Sequence, residues 1–137
     1  MARTIIENDV GYKYKSEKTR KITVEDINLY LELGQSPFAL WEDDDAGREV
    51  GFDKRVVPGP MHSPVALGLL SPILSEQSFL LGMNNIVFKA PLYPDDTVSA
   101  QARLLKKKQT SKGDWIGTYR WSLINQDGVE VSSGENT

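Results

Sequence analysis

The chain has 137 residues, 39% of them hydrophobic and 26% charged, with 16 basic side chains against 19 acidic ones and a net charge of −3. That composition fits one domain, here residues 1–137, with a core that needs no covalent staples. It argues against disorder and against a nucleic-acid partner held by phosphate neutralisation. With no cysteine and one histidine, disulfides and thiolate chemistry are ruled out, and any zinc site would have to be built mainly of carboxylates, so no metal and no cofactor are expected.

Residues 1–15 carry charge and no apolar run of signal-peptide length, and no stretch is long enough to span a membrane; the expected setting is the cytoplasm, with no membrane partner. Residues 13–22 alternate weakly and predict a polar first strand. A helix should follow, capped by Thr23, with Glu25 and Asp26 at its positive end. Val24, Ile27, Tyr30 and Leu31 share one face, and Gly34 ends it. From Gln35 to Gly59 the pattern is irregular. The acidic run Glu42-Asp43-Asp44-Asp45 reads as a helix cap and solvated face leading into a short helix over residues 45–50, because consecutive carboxylates project in different directions.

Pro58-Gly59-Pro60-Met61-His62-Ser63-Pro64 reads as a stiff turn opening an apolar helix, with Ser63 as cap and Pro64 in the first turn. Val65, Ala66, Leu69, Leu70, Ile73 and Leu74 cover most of its circumference, predicting burial nearly all round. Pro72 lies inside it, four residues after Gly68, where a bend is tolerated. Beyond Gly82 the period becomes two. Strands are predicted over residues 85–90, 97–109, 115–125 and 129–133, the last two joined by the turn Asn125-Gln126-Asp127-Gly128. The basic run Lys106-Lys107-Lys108 reads as a solvated strand end. A long antiparallel sheet wrapped around one buried central helix, an α+β architecture, is the economical way to bury both.

That order of elements resembles the hotdog fold, and two stretches resemble the MaoC-like dehydratase and (R)-specific enoyl-CoA hydratase family. Phe88-Lys89-Ala90-Pro91-Leu92-Tyr93-Pro94-Asp95-Asp96-Thr97-Val98 is similar to the family's F-x-x-P-V-Y-P-G-D-T-L crossing, with Asp95 where glycine is usual. Gly34-Gln35-Ser36-Pro37-Phe38-Ala39-Leu40-Trp41-Glu42-Asp43-Asp44-Asp45-Ala46, followed by Gly51-Phe52 and Pro58-Gly59, is similar to the hydratase motif G-D-x-N-P-L-H-x-D-x-x-x-A with its downstream G-F and H-G. On that match the family's catalytic aspartate falls on Gln35 and its catalytic histidine on Leu40. An amide does not titrate and a leucine exchanges no proton, so hydration chemistry needing a base for water and an acid for the α-carbon lacks both.

What the resemblance then implies is a subunit of acyl-thioester metabolism that has kept the binding groove. It would bind a thioester of coenzyme A or acyl-carrier protein, or support an active hydratase or dehydratase partner. It would form a homodimer, or a heterodimer with a homologous hotdog subunit, in which two sheets continue as one. Gly59, Gln35, Leu40, Trp41 and Met61 are the candidate substrate-binding residues, Gly59 through a backbone N–H aimed at the thioester oxygen. Tyr30, Phe38, Trp41 and Phe52 either line an acyl pocket or pack the core. The alternative is an active hydratase, dehydratase or thioesterase with a non-standard base, His62 first and Glu42 to Asp45 after it.

Overall fold

The computed structural model describes residues 3–137, so the first two residues of the expected domain lie outside it. The core of the fold is an antiparallel sheet. Its strands are β1 (Lys13–Lys15), β2 (Arg20–Lys21), β3 (Met83–Phe88), β4 (Thr97–Gln109), β5 (Trp115–Ile124) and β6 (Glu130–Asn136). They run in the order β1-β4-β5-β6-β3, with β2 also beside β4. Strand period places Ala100, Ala102, Leu104, Tyr119, Trp121 and Leu123 on the inner face, and all six are buried. Against them packs α4 (His62–Leu70), whose buried side is His62, Ser63, Ala66 and Leu70.

The predicted first strand is broken in two. Ser16 interrupts the ladder by folding its hydroxyl back: Oγ accepts from the Ala100 N–H at 2.9 Å while the Ser16 N–H donates to the Ala100 carbonyl at 2.8 Å. Thr23 caps α1 (Val24–Gly34) as expected, accepting from the Asp26 N–H at 3.1 Å. Gly34, expected as the stop, is the last helical residue instead; the left-handed position falls on Gln35, at φ 48°. The segment read as irregular holds one extra turn of helix, α2 (Ala39–Glu42). The short helix after it, α3 (Asp44–Glu49), starts one residue early because Asp43 supplies the cap, accepting from the Asp45 N–H.

Ser63 is not a cap. Pro60 fixes a 3-10 turn over Gly59–Met61 that runs straight into α4, so the chain is already helical when it reaches Ser63. Nor does α4 continue through Pro72: it ends at Leu70, and Pro72 sits in a separate 3-10 turn, Ser71–Ile73, which avoids the lost helical hydrogen bond. Burial is not all round either. Pro64 and Gly68 are exposed, and Val65, Leu67 and Leu69 are half-buried.

In the later strands the expected 85–90 segment shifts to Met83–Phe88 and the 129–133 segment extends to Glu130–Asn136, while Thr97–Gln109 forms as read. Asn125 to Gly128 make the expected turn, closed by the Gly128 N–H on the Asn125 carbonyl at 3.1 Å with Gly128 at φ 77°. β3 ends the sheet. Every residue of it is exposed, including Met83, Ile86, Val87 and Phe88, and Phe79, Leu80 and Leu81 just before it are exposed as well. Large apolar side chains along an unpaired strand edge form a template for further strand pairing.

Candidate functional site

The corner made by residues 91–96 holds the segment over the start of α4. Asp95 occupies a left-handed conformation, φ 74°, which is why a glycine suits that position and an aspartate is tolerated there. The Tyr93 hydroxyl accepts from the Asp53 N–H at 3.1 Å, and the Leu92 carbonyl accepts from the Val57 N–H at 2.7 Å. One residue earlier, the Val56 N–H donates to the Leu40 carbonyl at 3.1 Å. The corner therefore fixes both α2 and the Pro58-Gly59-Pro60 turn.

Gly59 opens that turn, so its N–H has no partner inside it, whereas Pro60 has none to offer and the Met61 N–H is spent on the Pro58 carbonyl at 3.0 Å. Among the described residues the Gly59 N–H has no hydrogen-bond partner. A side chain at residue 59 would meet the ring of Phe88 at 3.0 Å, so glycine lets the strand edge lie close. Met61 is buried. Gln35 is exposed at the end of α1, and its amide makes no hydrogen bond among the described residues. Leu40 is half-buried, and Trp41 packs edge-on against Tyr30 at 6.0 Å and Phe38 at 4.6 Å between ring centres.

The acidic run behaves as a helix start. Besides the Asp43 cap, Asp44 pairs with Arg55 at 2.9 Å and Asp45 with Arg48 at 2.6 Å. Hydrogen bonds from Arg55 hold the Asp44 carboxyl below the usual carboxylate range. Among the described residues no cluster of histidine and carboxylate groups is arranged to hold a metal ion.

His62 lies inside the fold. Its Nδ1 is 2.7 Å from the Ser132 hydroxyl of β6, Phe88 meets its ring edge-on at 5.1 Å between centres, and only 3% of it is exposed. Burial pushes its pKa down to about 4. The folded state thus keeps the imidazole neutral while the unfolded chain protonates it near its ordinary value of about 6.5. The stability this confers is complete above that value and is lost as pH falls from it towards 4, by about 3 kcal/mol at most. Urea unfolding between pH 7 and pH 4.5 is expected to show that loss in the natural chain and to show most of it abolished in His62→Gln. A pH slope unchanged in the variant would contradict the assignment. Glu130, held down to about 2 with help from Lys89 and Arg120, adds its own loss only below the ordinary carboxylate range.

Sequence reasoning missed Ser132 and Phe88, both brought to α4 by strand pairing: the Phe88–Ser132 register of β3 and β6 sets them side by side. The cleft at the other end of the helix escaped it too. There a cavity of about 720 Å³ is lined by Ile5, Leu67, Ile73, Leu81, Tyr119 and Thr137 among others. None of Gln35, Leu40, Trp41, Gly59, Met61 or His62 lines it, and His62 and Leu67, five residues apart, project about 140° from each other around the helix. A second cavity, about 560 Å³, lies on the outer sheet face among Lys13, Lys15, Arg103 and Arg120 and touches none of the candidate residues.

A family model described as MaoC like domain matches residues 6–120. The chain belongs to the MaoC-like family. A comparison with curated proteins gives no match. The MaoC-like fold is shared with solved structures at low identity. A monoamine oxidase regulatory protein from Archaeoglobus fulgidus superposes with TM-score 0.86 at 23% identity, over 98% of this chain and 93% of that one. An (R)-hydratase from A. caviae gives 0.77 at 21% identity, over 94% of each. The HadBC complex of Mycobacterium tuberculosis gives 0.81 at 15%, over 94% and 95%. The expected hotdog architecture, an antiparallel sheet with a helix packed against it, is what the MaoC-like chain adopts. No helix among the described residues is long and apolar enough to cross a membrane.

Proposed function

We propose that this MaoC-like chain is a catalytically degenerate hotdog subunit: it takes an acyl-thioester into the cleft along α4 but does not itself move the protons of hydration or dehydration. What supports this reading is a chain of the MaoC-like family in which the motif match sets Gln35 and Leu40, neither of which titrates, at the positions of the family's acid and histidine. The Gly59 N–H, unused inside its own turn, is suited to a thioester oxygen, and the cleft of about 720 Å³ that Leu67 and Ile73 help to line is of the size that holds a ligand's hydrocarbon part.

The relatives support the setting. One is an (R)-hydratase involved in PHA biosynthesis, and another is a 3R-hydroxyacyl-ACP dehydratase complex. HadBC and the ChsH1-ChsH2 complex of M. tuberculosis are each named as assemblies of two different chains, which supports a companion hotdog subunit for this one. The bare edge of β3, apolar along its length, is a surface on which a second sheet can continue.

The alternative, an active enzyme using His62 as base, has in its favour that the imidazole is neutral. Against it stand the Ser132 bond, the Phe88 ring and the near-complete burial, which suit a packing residue. Thermal unfolding and turnover of the purified chain separate the readings. A saturating acyl-CoA, at about 100 times its dissociation constant, is expected to stabilise the fold by about 2.7 kcal/mol, while enoyl-CoA and 3-hydroxyacyl-CoA thioesters are left unconverted. Brisk turnover lost in His62→Ala would establish the alternative, and no stabilisation by any acyl-CoA would refute both.

A further inference from the structure

The second cavity, on the sheet face turned away from α4, has a different character from the first. Along β4 and β5, Ala100, Ala102, Tyr119 and Trp121 point inward and are buried, so Gln101, Arg103, Arg120 and Ser122 between them point outward. Register then sets Lys13, Arg103 and Arg120 directly opposite one another, a row of three cations across β1, β4 and β5, with Lys15, Gln101 and Ser122 as the next row. The cavity of about 560 Å³ over these rows is lined by four basic side chains and no carboxylate, in a chain whose net charge is −3.

Like charges directly opposite in a sheet repel, and the acids nearby are engaged elsewhere. Glu130 pairs with Arg120 at 3.2 Å and also with Lys89, while Glu135, opposite Arg120 on β6, accepts from the Asn85 amide. Lys13, Lys15 and Arg103 join no ion pair among the described residues. Lysines on an edge strand guard it against stray pairing, which accounts for Lys13 and Lys15 on β1. It does not account for Arg103 and Arg120, which lie on two strands inside the sheet.

We infer that this face binds a ligand carrying two linked phosphate groups, with Arg103 at the centre of the contact and Lys13, Lys15 and Arg120 around it. Directly opposed residues stand about 5 Å apart, so the row spans about 10 Å. One carboxylate cannot match it, whereas adjoining phosphates bring several negative charges and the fork of acceptors that a guanidinium takes. A volume of about 560 Å³ is in the range of small-molecule sites. The sheet lies between this place and the α4 side, and the two cavities share no lining residue, so the site is separate from the proposed acyl cleft and does not depend on it.

The test titrates inorganic diphosphate and, separately, the nucleoside diphosphate ADP calorimetrically into the natural chain, Arg103→Gln and Lys112→Gln, at about 0.15 M salt, where long-range surface attraction is screened. Both side chains are exposed, so the variants keep the fold, and relieving the cation row is expected to leave the unfolding temperature of anion-free Arg103→Gln no lower than its parent's. Diphosphate is expected to bind the natural chain and Lys112→Gln alike, and both about tenfold tighter than Arg103→Gln, as one charged hydrogen-bonding group allows. ADP binding as tightly as diphosphate would mark a nucleotide as the source, and diphosphate binding alone would mark a free polyphosphate anion; both uphold the site. No diphosphate binding, or the same affinity in Arg103→Gln as in the natural chain, would overturn it, and so would an equal loss in Lys112→Gln, which would reduce the attraction to overall charge.

Discussion

A Gln35→Asp, Leu40→His double variant is expected to hydrate a medium-chain enoyl-CoA at a rate about 10²–10⁴ above the unaltered chain, the usual contribution of a positioned acid–base group. The reasoning is local. Gln35 is exposed on a left-handed residue, a conformation that aspartate adopts readily. Leu40 sits in a one-turn helix whose carbonyl is pinned to Val56, so a histidine there inherits a fixed backbone. Either single substitution is expected to gain far less, since the water needs a base and the α-carbon an acid. Coupled spectrophotometric assays of the three variants decide it. A double variant as inert as its parent, though folded and able to bind thioester, would mean that the groove does not present substrate to these two positions.

Gly47→Ala should cost about 3 kcal/mol, at the upper end for overpacking. Gly47 is buried in α3, and an added Cβ would stand 2.0 Å from the carbonyl oxygen of Lys54. Backbone cannot yield as a side-chain tip does, so α3 and residues 51–55 must part, pulling on the Asp44–Arg55 pair and on the Val56–Leu40 bond. Gly68→Ala is the opposite case. No atom lies within 4 Å of its notional Cβ, and alanine in a helix interior gains up to about 1 kcal/mol over glycine. Denaturant midpoints for the two variants are expected to move in opposite directions; a Gly47→Ala protein as stable as its parent would show that this contact relaxes at no cost.

Much of the sheet was legible because a period of two over β4 and β5 leaves one register that buries the apolar set, and because the residue 125–128 turn dictates its own closure. Segment ends were less so. Gly34 looked like the obvious left-handed residue, but backbone hydrogen bonds carry α1 one residue further, and Gln35 takes the strain. Ser63 had a capping residue's chemistry without its geometry, because Pro60 had already begun the helical path.

Of the site, the Gly59 turn and the positions of Gln35 and Leu40 were visible by motif. The cleft was not, since its lining comes from residues near 5, 67, 81, 119 and 137 that only folding gathers. Nor does β6 signal it: the residues opposite Tyr119, Trp121 and Leu123 are Asn136, Gly134 and Ser132, none of them apolar.

The unclad rim of β3 has a bearing on how such a molecule must be made. A polypeptide that finishes folding with Met83, Ile86, Val87 and Phe88 bare to water will adhere to whatever extended chain it meets first. Overproduction of this chain in isolation then invites clumping that has nothing to do with weak folding.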